Sequence, residues 1–229
     1  MQFGNSFQRT SPVVLNLIII NALVYVAYLV FGGNAEPNKF LDLFALHHYK
    51  SDEFRPYQLI THMFMHGGIF HLLFNMLGLW MFGSTVEKVW GPKKFLLFYL
   101  ICGIVAALTQ MASYTYDWWA IDHTLLTSGE NEQYQFILRT SATVGASGAI
   151  MGILAAFGYL FPNTTLFIMP IPVPIKAKWA IMGIIALDVF GGVSRLPKDN
   201  VAHFAHVGGA LAGLLIVLFW NKTDKRTFY

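Results

Sequence analysis

Four polar residues stand within long apolar stretches of this 229-residue chain, and their types suit the hydrolysis of an acyl bond. Ser147 lies in a Gly-Ala-Ser-Gly sequence, His206 lies on a later apolar stretch, and His71 and Asn75 stand at positions i and i+4. Serine becomes a nucleophile when a neighbouring base takes its proton, which is the role predicted for His206. The resulting oxyanion needs preformed donors, for which His71, Asn75 and the backbone N–H of Ser147 are the candidates.

The composition places these residues in a membrane. Hydrophobic residues make up 55% of the chain and charged residues 12%, and the mean hydropathy is +0.52, whereas about a quarter of a soluble domain is charged. The net charge of +3 is too small for a nucleic-acid footprint, so no nucleic-acid partner is expected. The single cysteine, Cys102, excludes an intramolecular disulfide.

Six apolar stretches are long enough to cross a bilayer, which predicts an all-α, polytopic membrane protein with a six-helix bundle over residues 12–220. Segments 1–11 and 221–229 are predicted to be an N-terminal extension and a C-terminal tail. The predicted spans are Pro12–Phe31, Gln58–Phe82, Phe95–Tyr114, Ala146–Phe161, Lys178–Val193 and Val201–Trp220.

Three connections between the spans differ in character. Residues 32–57 and 115–141 form two long predicted loops. Residues 162–177 contain four prolines, which predicts a semi-extended connection rather than a helix.

The basic residues indicate the orientation of the bundle. Nine Lys and Arg residues fall on the side that holds both termini, and six fall on the side that holds the two long loops. Because cytoplasmic loops carry the excess of basic residues, both termini are predicted to be cytoplasmic, in a cell membrane such as the bacterial inner membrane.

The four polar residues are predicted to lie at similar depths. Counting about 1.5 Å of rise per residue from the cytoplasmic boundary places Ser147 at about 22 Å and both His71 and His206 at about 24 Å. The same count places Asn75 at about 18 Å. In a hydrocarbon core about 30 Å thick, these heights predict a wet pocket that opens outward.

The other polar residues of the spans are interpreted as structural. His66 and His203 come out near the outer interface, at about 31 and 28 Å. His62 and His66 have the spacing of zinc ligands but lack the glutamate of H-E-x-x-H, so neither a metal nor another cofactor is expected. Asp188 receives no chemical role, and the expected machinery is a Ser/His pair without an orienting acid.

Small residues predict where helices touch. Gly148 and Gly152 are four residues apart on the fourth span, and Gly209 and Gly213 have the same spacing on the sixth. Small residues at this spacing let the backbones of two helices approach closely. The fourth and sixth spans are therefore predicted to pack together and to bring the serine and histidine into contact.

Read together, these motifs resemble those of the rhomboid intramembrane serine proteases. The resemblance covers nearly the whole chain and is clearest from the second span to the sixth. It rests on four elements in order: HGGIFH at 66–71 with Asn75, GSTVE at 83–87, GASG at 145–148, and AHVGG at 205–209 followed by Gly213.

The resemblance implies a compact, prokaryotic-type protease of six helices that cleaves single-span membrane proteins within their transmembrane segments. It implies that Ser147 is the nucleophile and His206 the base, and that His71 and Asn75 serve the oxyanion or retain water. It also implies a structural role for Glu87. It further implies that Gly209 and Gly213 let the sixth helix approach the fourth.

One departure and two alternatives accompany this interpretation. Many rhomboids carry Trp-Arg shortly before the second span, where this chain has Tyr57-Gln58, so the first loop is expected to pack differently. A rhomboid-like protein that binds transmembrane clients without cutting them is the main alternative, although such a protein should lack the serine or the histidine. A transporter or channel should show internal repeats or a polar path, and neither is apparent.

Overall fold

The computed structural model describes residues 11–32, 39–125, 142–167, 173–194 and 201–224, and most of these residues are helical. A 3-10 turn at His62–Phe64 follows α3, a π-helical turn at Leu79–Gly83 lies within α4, and two short strands, β1 and β2, pair antiparallel. In chain order the elements are α1 Pro12–Phe31, α2 Lys39–Phe44, α3 Gln58–Thr61, α4 Ile69–Trp90, α5 Pro92–Leu125, α6 Ser147–Leu160, β1 Thr165–Phe167, β2 Pro174–Lys176, α7 Ala177–Ser194 and α8 His203–Asp224.

Five of these helices (α1, α4, α5, α7 and α8) are long and apolar enough to cross a membrane. The sixth, α6, is apolar but has only 14 residues, so it is about 21 Å long. Large apolar side chains such as Phe31, Phe74 and Leu187 are exposed on the outside of the bundle, where lipid would cover them. The prediction of an all-α, multi-pass membrane protein is confirmed.

The predicted second span, which began at Gln58, is wrong in its boundaries. Residues 58–64 form a separate short helix and a 3-10 turn, Met65 is extended, and α4 begins only after Gly68 and continues to Trp90. Met63 is completely buried inside the protein rather than facing lipid. Hydropathy cannot separate this buried connector from the helix that follows because both are apolar.

Two predicted connections also contain more regular structure than expected. The predicted third span does not end at Tyr114, because its helix, α5, continues to Leu125. The first part of the predicted loop 115–141 is therefore helical. As predicted, the described residues of the proline-rich connection between α6 and β2 are not helical. Two parts of this connection pair as β1 and β2, with Leu166 opposite Ile175. The final helix extends past Trp220 to Asp224.

The short helix α6 lies at the centre of the bundle. Every residue from Gly148 to Phe157 is buried, and α6 contacts α4, α5, α7 and α8. A helix that is apolar on all sides is stable only when it is surrounded, and this position accounts for the uniform hydrophobicity of α6. Because α6 is short and central, its first residue, Ser147, lies inside the protein.

The backbones of α6 and α8 touch at the predicted glycines. A methyl group on Gly209 would overlap the carbonyl of Gly148, and one on Gly213 would lie 2.6 Å from the Cα of Gly152. The other side of α6 is equally tight, since a methyl group on Gly152 would lie 2.5 Å from Sγ of Cys102 on α5. The glycines of the fourth and sixth predicted spans thus lie where α6 and α8 touch.

The carboxylate of Glu87 joins α4 to the start of α1. Oε1 of Glu87 on α4 accepts a hydrogen bond from the backbone N–H of Val13 at 3.0 Å, and Oε2 accepts one from Val14 at 2.9 Å. The hydroxyl of Ser11 also donates to the carbonyl of Ser84 at 3.2 Å. Glu87 thus satisfies free N–H groups in the first turn of α1, where a negative charge is favourable.

We expect Gly213→Ala to lower the free energy of unfolding by about 1–3 kcal/mol, because its methyl group meets backbone that cannot move aside. Thermal unfolding of the purified protein in detergent measures this loss. Gly183→Ala on α7 is the matched control, since no atom lies within 4 Å of the added methyl group. Equal unfolding midpoints for the two variants would contradict the close contact between α6 and α8.

Candidate active site

The two residues predicted to act together are in hydrogen-bond contact. Oγ of Ser147 lies 2.7 Å from Nε2 of His206. Ser147 is the first residue of α6, and His206 lies in the first turn of α8, so the packing of these helices sets the distance. The expected meeting of a hydroxyl and an imidazole from two helices is therefore present.

His206 also contacts a carboxylate, contrary to the expectation of a pair without an acid. Oδ1 of Asp188 on α7 lies 2.9 Å from Nδ1 of His206 and 2.7 Å from Nδ1 of His203. Depth along the membrane normal was the only coordinate available from the sequence. Asp188 faces α8 because of the rotation of α7 about its own axis. This rotation is set by the packing of the helices and cannot be obtained from depth.

His71 and Asn75 line the same cavity as Ser147 and His206. This cavity has a volume of about 900 Å³. Nδ2 of Asn75 donates to the backbone carbonyl of His71 at 2.8 Å, and one N–H of this amide remains available. The structure thus brings together the polar residues of three helices that the sequence placed at similar depths.

Three further polar residues, Gln110, Tyr114 and Thr143, line the cavity and were not among the predicted site residues. Oε1 of Gln110 accepts a hydrogen bond from the backbone N–H of Ala205 at 3.1 Å and so ties α5 to the start of α8. The hydroxyls of Tyr114 and Thr143 lie 3.2 Å apart. A buried glutamine inside an otherwise apolar span is a signal that could have identified Gln110.

The segment before Ser147 is held by the first loop. Leu46 and Thr143 exchange two backbone hydrogen bonds of 2.9 Å each, and the N–H of Gly145 donates to the carbonyl of His62 at 2.9 Å. Gly145 has φ of 127°, and a methyl group there would lie 2.8 Å from Nε2 of His71. A glycine is therefore required here by both the backbone conformation and the space beside His71.

Gln58 organises the first loop, in the region where a different packing was expected. Its side chain is completely buried. Oε1 accepts from the backbone N–H groups of Arg55 and His47, at 3.1 and 3.4 Å. Nε2 donates to the carbonyls of Asp42 and Glu53, at 3.0 and 2.9 Å. One neutral amide thus satisfies backbone groups from across the loop.

His62 and His66 lie in the connector before α4. Both are buried, and the ring centroid of His66 lies 5.0 Å from that of His71. Burial lowers the pKa of each imidazole to about 4, so both are neutral at physiological pH. Nδ1 of His62 lies 2.8 Å from the carbonyl oxygen of Gln58 and donates to it.

We expect Gln58→Ala to loosen the first loop, because each buried backbone group left without a partner costs about 1–3 kcal/mol. Hydrogen exchange of the amides in residues 39–66 should become faster than in the wild-type protein, whereas exchange in α6 should remain slow. Tyr57→Phe is the control, since Tyr57 is 45% exposed and precedes Gln58 directly. Unchanged exchange in the Gln58→Ala loop would show that the amide does not organise it.

Comparisons with known proteins place the chain in a family. The model of the rhomboid domain matches residues 53–222. RHOMBOID-like protein 12, mitochondrial, of Arabidopsis thaliana is 30% identical over 220 residues, which cover 94% of this chain and 60% of that protein. Rhomboid protease AarA of Providencia stuartii is 30% identical over 214 residues, which cover 88% of this chain and 70% of that protein.

A third relative, Rhomboid protease GluP of Bacillus subtilis, is 27% identical over 209 residues. These residues cover 90% of this chain but only 34% of GluP, so the chain spans 34%, 60% and 70% of the length of GluP, the Arabidopsis protein and AarA. The relatives include proteins named as mitochondrial and proteins from bacteria. The matched domain spans most of this chain, which belongs to the rhomboid family.

Proposed function

We propose that the chain is an intramembrane serine endopeptidase that cleaves single-span membrane proteins within their transmembrane segments. The observation that carries the proposal is the 2.7 Å contact between Oγ of Ser147 and Nε2 of His206 at a polar cavity inside a membrane bundle. Relatives named as rhomboid proteases support the same reaction class.

In the proposed reaction, Ser147 attacks the carbonyl carbon of the scissile bond while Nε2 of His206 takes the hydroxyl proton. His206 then donates this proton to the departing amine, which leaves an acyl-enzyme on Ser147. A water molecule, deprotonated by His206, attacks the ester, and His206 returns the proton to Oγ of Ser147 as the acid product leaves. In each half-reaction, Nε2 of His206 first accepts a proton from the attacking oxygen and then donates it to the leaving group.

The oxyanion of each tetrahedral intermediate requires donors that are already in place. We assign this role to the backbone N–H of Ser147, the available N–H of Asn75 and the ring of His71. Ser147 begins α6, whose first N–H groups have no partner within the helix. His71 and Asn75 line the cavity and are also positioned to retain the hydrolytic water.

The shape of the cavity indicates the kind of substrate. Gly67 and Gly68 form part of its wall, and no atom lies within 4 Å of the place that a methyl group on Gly68 would take, so the site offers space for substrate backbone and for small side chains. A transmembrane helix must unwind locally to present a peptide carbonyl there. We therefore propose that the substrates are single-span proteins that reach the site from the bilayer.

We also propose the orientation in the membrane. The excess of basic residues at the end that holds the termini supports cytoplasmic termini in a protein of a bacterial inner membrane. The cavity then lies toward the opposite, outer side, because Ser147 is at the far end of α6 from the β1–β2 connection.

A fluorophosphonate reagent should label the wild-type protein, because the reagent reports a nucleophilic serine. Ser147→Ala should abolish this labelling. Ser84→Ala should retain it, because Ser84 lies toward the end of α4 that is remote from His71. The labelling is measured by mass spectrometry of the detergent-solubilised protein. Labelling of Ser147→Ala equal to wild type would remove Ser147 from the proposed role.

Proteoliposomes that contain a single-span substrate should show cleavage within the transmembrane segment. His206→Ala should lower the rate by about 10²- to 10⁴-fold, the range of general-base catalysis. Gel analysis of the two fragments measures the rate, and mass spectrometry locates the cleaved bond. Binding of the substrate by the wild-type protein without any cleavage would instead favour the non-proteolytic, client-binding alternative.

A further inference from the structure

A single carboxylate oxygen joins two histidines next to Ser147. Oδ1 of Asp188 lies 2.9 Å from Nδ1 of His206 and 2.7 Å from Nδ1 of His203. The three side chains are only 11–16% exposed, so water competes little for these bonds. We propose that Asp188 is a positioning residue that fixes the tautomer of His206 and that His203 holds Asp188 in place. This inference rests on the proposed function of Ser147 and His206.

The chemistry of a carboxylate determines where the protons are. An ionised carboxylate only accepts hydrogen bonds, so the Nδ1 atoms of both His203 and His206 must carry hydrogen. A neutral His206 with hydrogen on Nδ1 has its lone pair on Nε2. That lone pair faces Oγ of Ser147 at 2.7 Å, which is the arrangement that a general base requires.

The surrounding helices are shaped to hold this arrangement. His203 and His206 are three residues apart in the first turn of α8, so their side chains lie on one face. Asp188 and Gly191 are likewise three apart on α7, and a methyl group on Gly191 would lie 2.5 Å from Cε1 of His203. α7 therefore carries a glycine where the ring of His203 occupies the space.

The positive charge that forms on His206 is the second reason for the assignment. When Nε2 takes the proton of Ser147, the imidazole becomes a cation in a region of low dielectric. The carboxylate at 2.9 Å stabilises that cation, and its bond to Nδ1 is already formed before the reaction. A polar contact that served only helix packing would influence stability without influencing the proton position on His206.

The first test reads the tautomer directly. Protein labelled with ¹⁵N-histidine should show Nε2 of His206 as the nitrogen without hydrogen. In Asp188→Asn the amide can donate to Nδ1, so the hydrogen should move to Nε2. Asp52→Asn, an exposed position in the first loop, is the matched control. An unchanged tautomer in Asp188→Asn would overturn the proposal.

The second test measures turnover. Asp188→Asn should lower kcat by about 10²- to 10⁴-fold, as expected when the orienting acid of a serine hydrolase is neutralised. KM and the thermal unfolding midpoint should stay near those of Asp52→Asn. Wild-type kcat in Asp188→Asn would overturn the positioning role and leave the Ser147 assignment intact. Absence of cleavage by wild type would reject the proposed function, while the tautomer test would still judge Asp188.

The third test asks whether His203 acts through Asp188. His203→Ala should lower kcat less than Asp188→Asn, because the carboxylate keeps its bond to His206. The double variant should be no slower than Asp188→Asn alone, within about threefold, since effects of coupled residues are not additive. Full additivity of the two losses would show that His203 acts independently of Asp188 and would reject that part of the proposal.

Discussion

The contact between the backbones of α6 and α8 is the constraint on which the rest of the structure depends. Gly209 lies against the carbonyl of Gly148, and Gly213 lies against Gly152, with no space for a side chain at either point. Only this approach allows a serine on α6 and a histidine on α8 to share a hydrogen bond of 2.7 Å. The packing of two apolar helices thus sets the one distance that the proposed chemistry requires, and a thicker residue would separate the reacting atoms.

Several polar groups beside the cavity form hydrogen bonds with one another. The hydroxyl of Ser147 meets His206, His206 meets Asp188, and the amide of Gln110 accepts the N–H of Ala205 at the start of α8. In a low-dielectric interior such bonds are strong, and an unpaired member would be costly. The same network therefore aligns the start of α8 with α5 and α7 and supplies the polarity of the cavity. The side chains proposed for the chemistry therefore also hold the helices together.

How well each region could be predicted depends on whether its structure is set by residues adjacent in sequence or by distant ones. The spans at α1, α7 and α8 could be located within a few residues, since unbroken hydropathy marks a helix in lipid. The start of α4 could not, because the apolar residues 58–65 are buried by protein rather than by lipid and the break at Gly67 and Gly68 is not visible in mean hydropathy. The five hydrogen bonds of the Gln58 side chain could not be predicted either, because their partners are backbone groups spread over residues 42–55.

The sequence by itself determined that the chain is a helical membrane protein, which polar residues occur along its apolar stretches, and which stretches carry small residues. These properties depend on the order of residues along one helix axis. The tertiary structure alone decided that Asp188 meets His206, that Gln110 borders the cavity, and that the first loop holds the segment before Ser147. Each of these depends on the rotation of one element against another, which arises from the packing of the whole bundle.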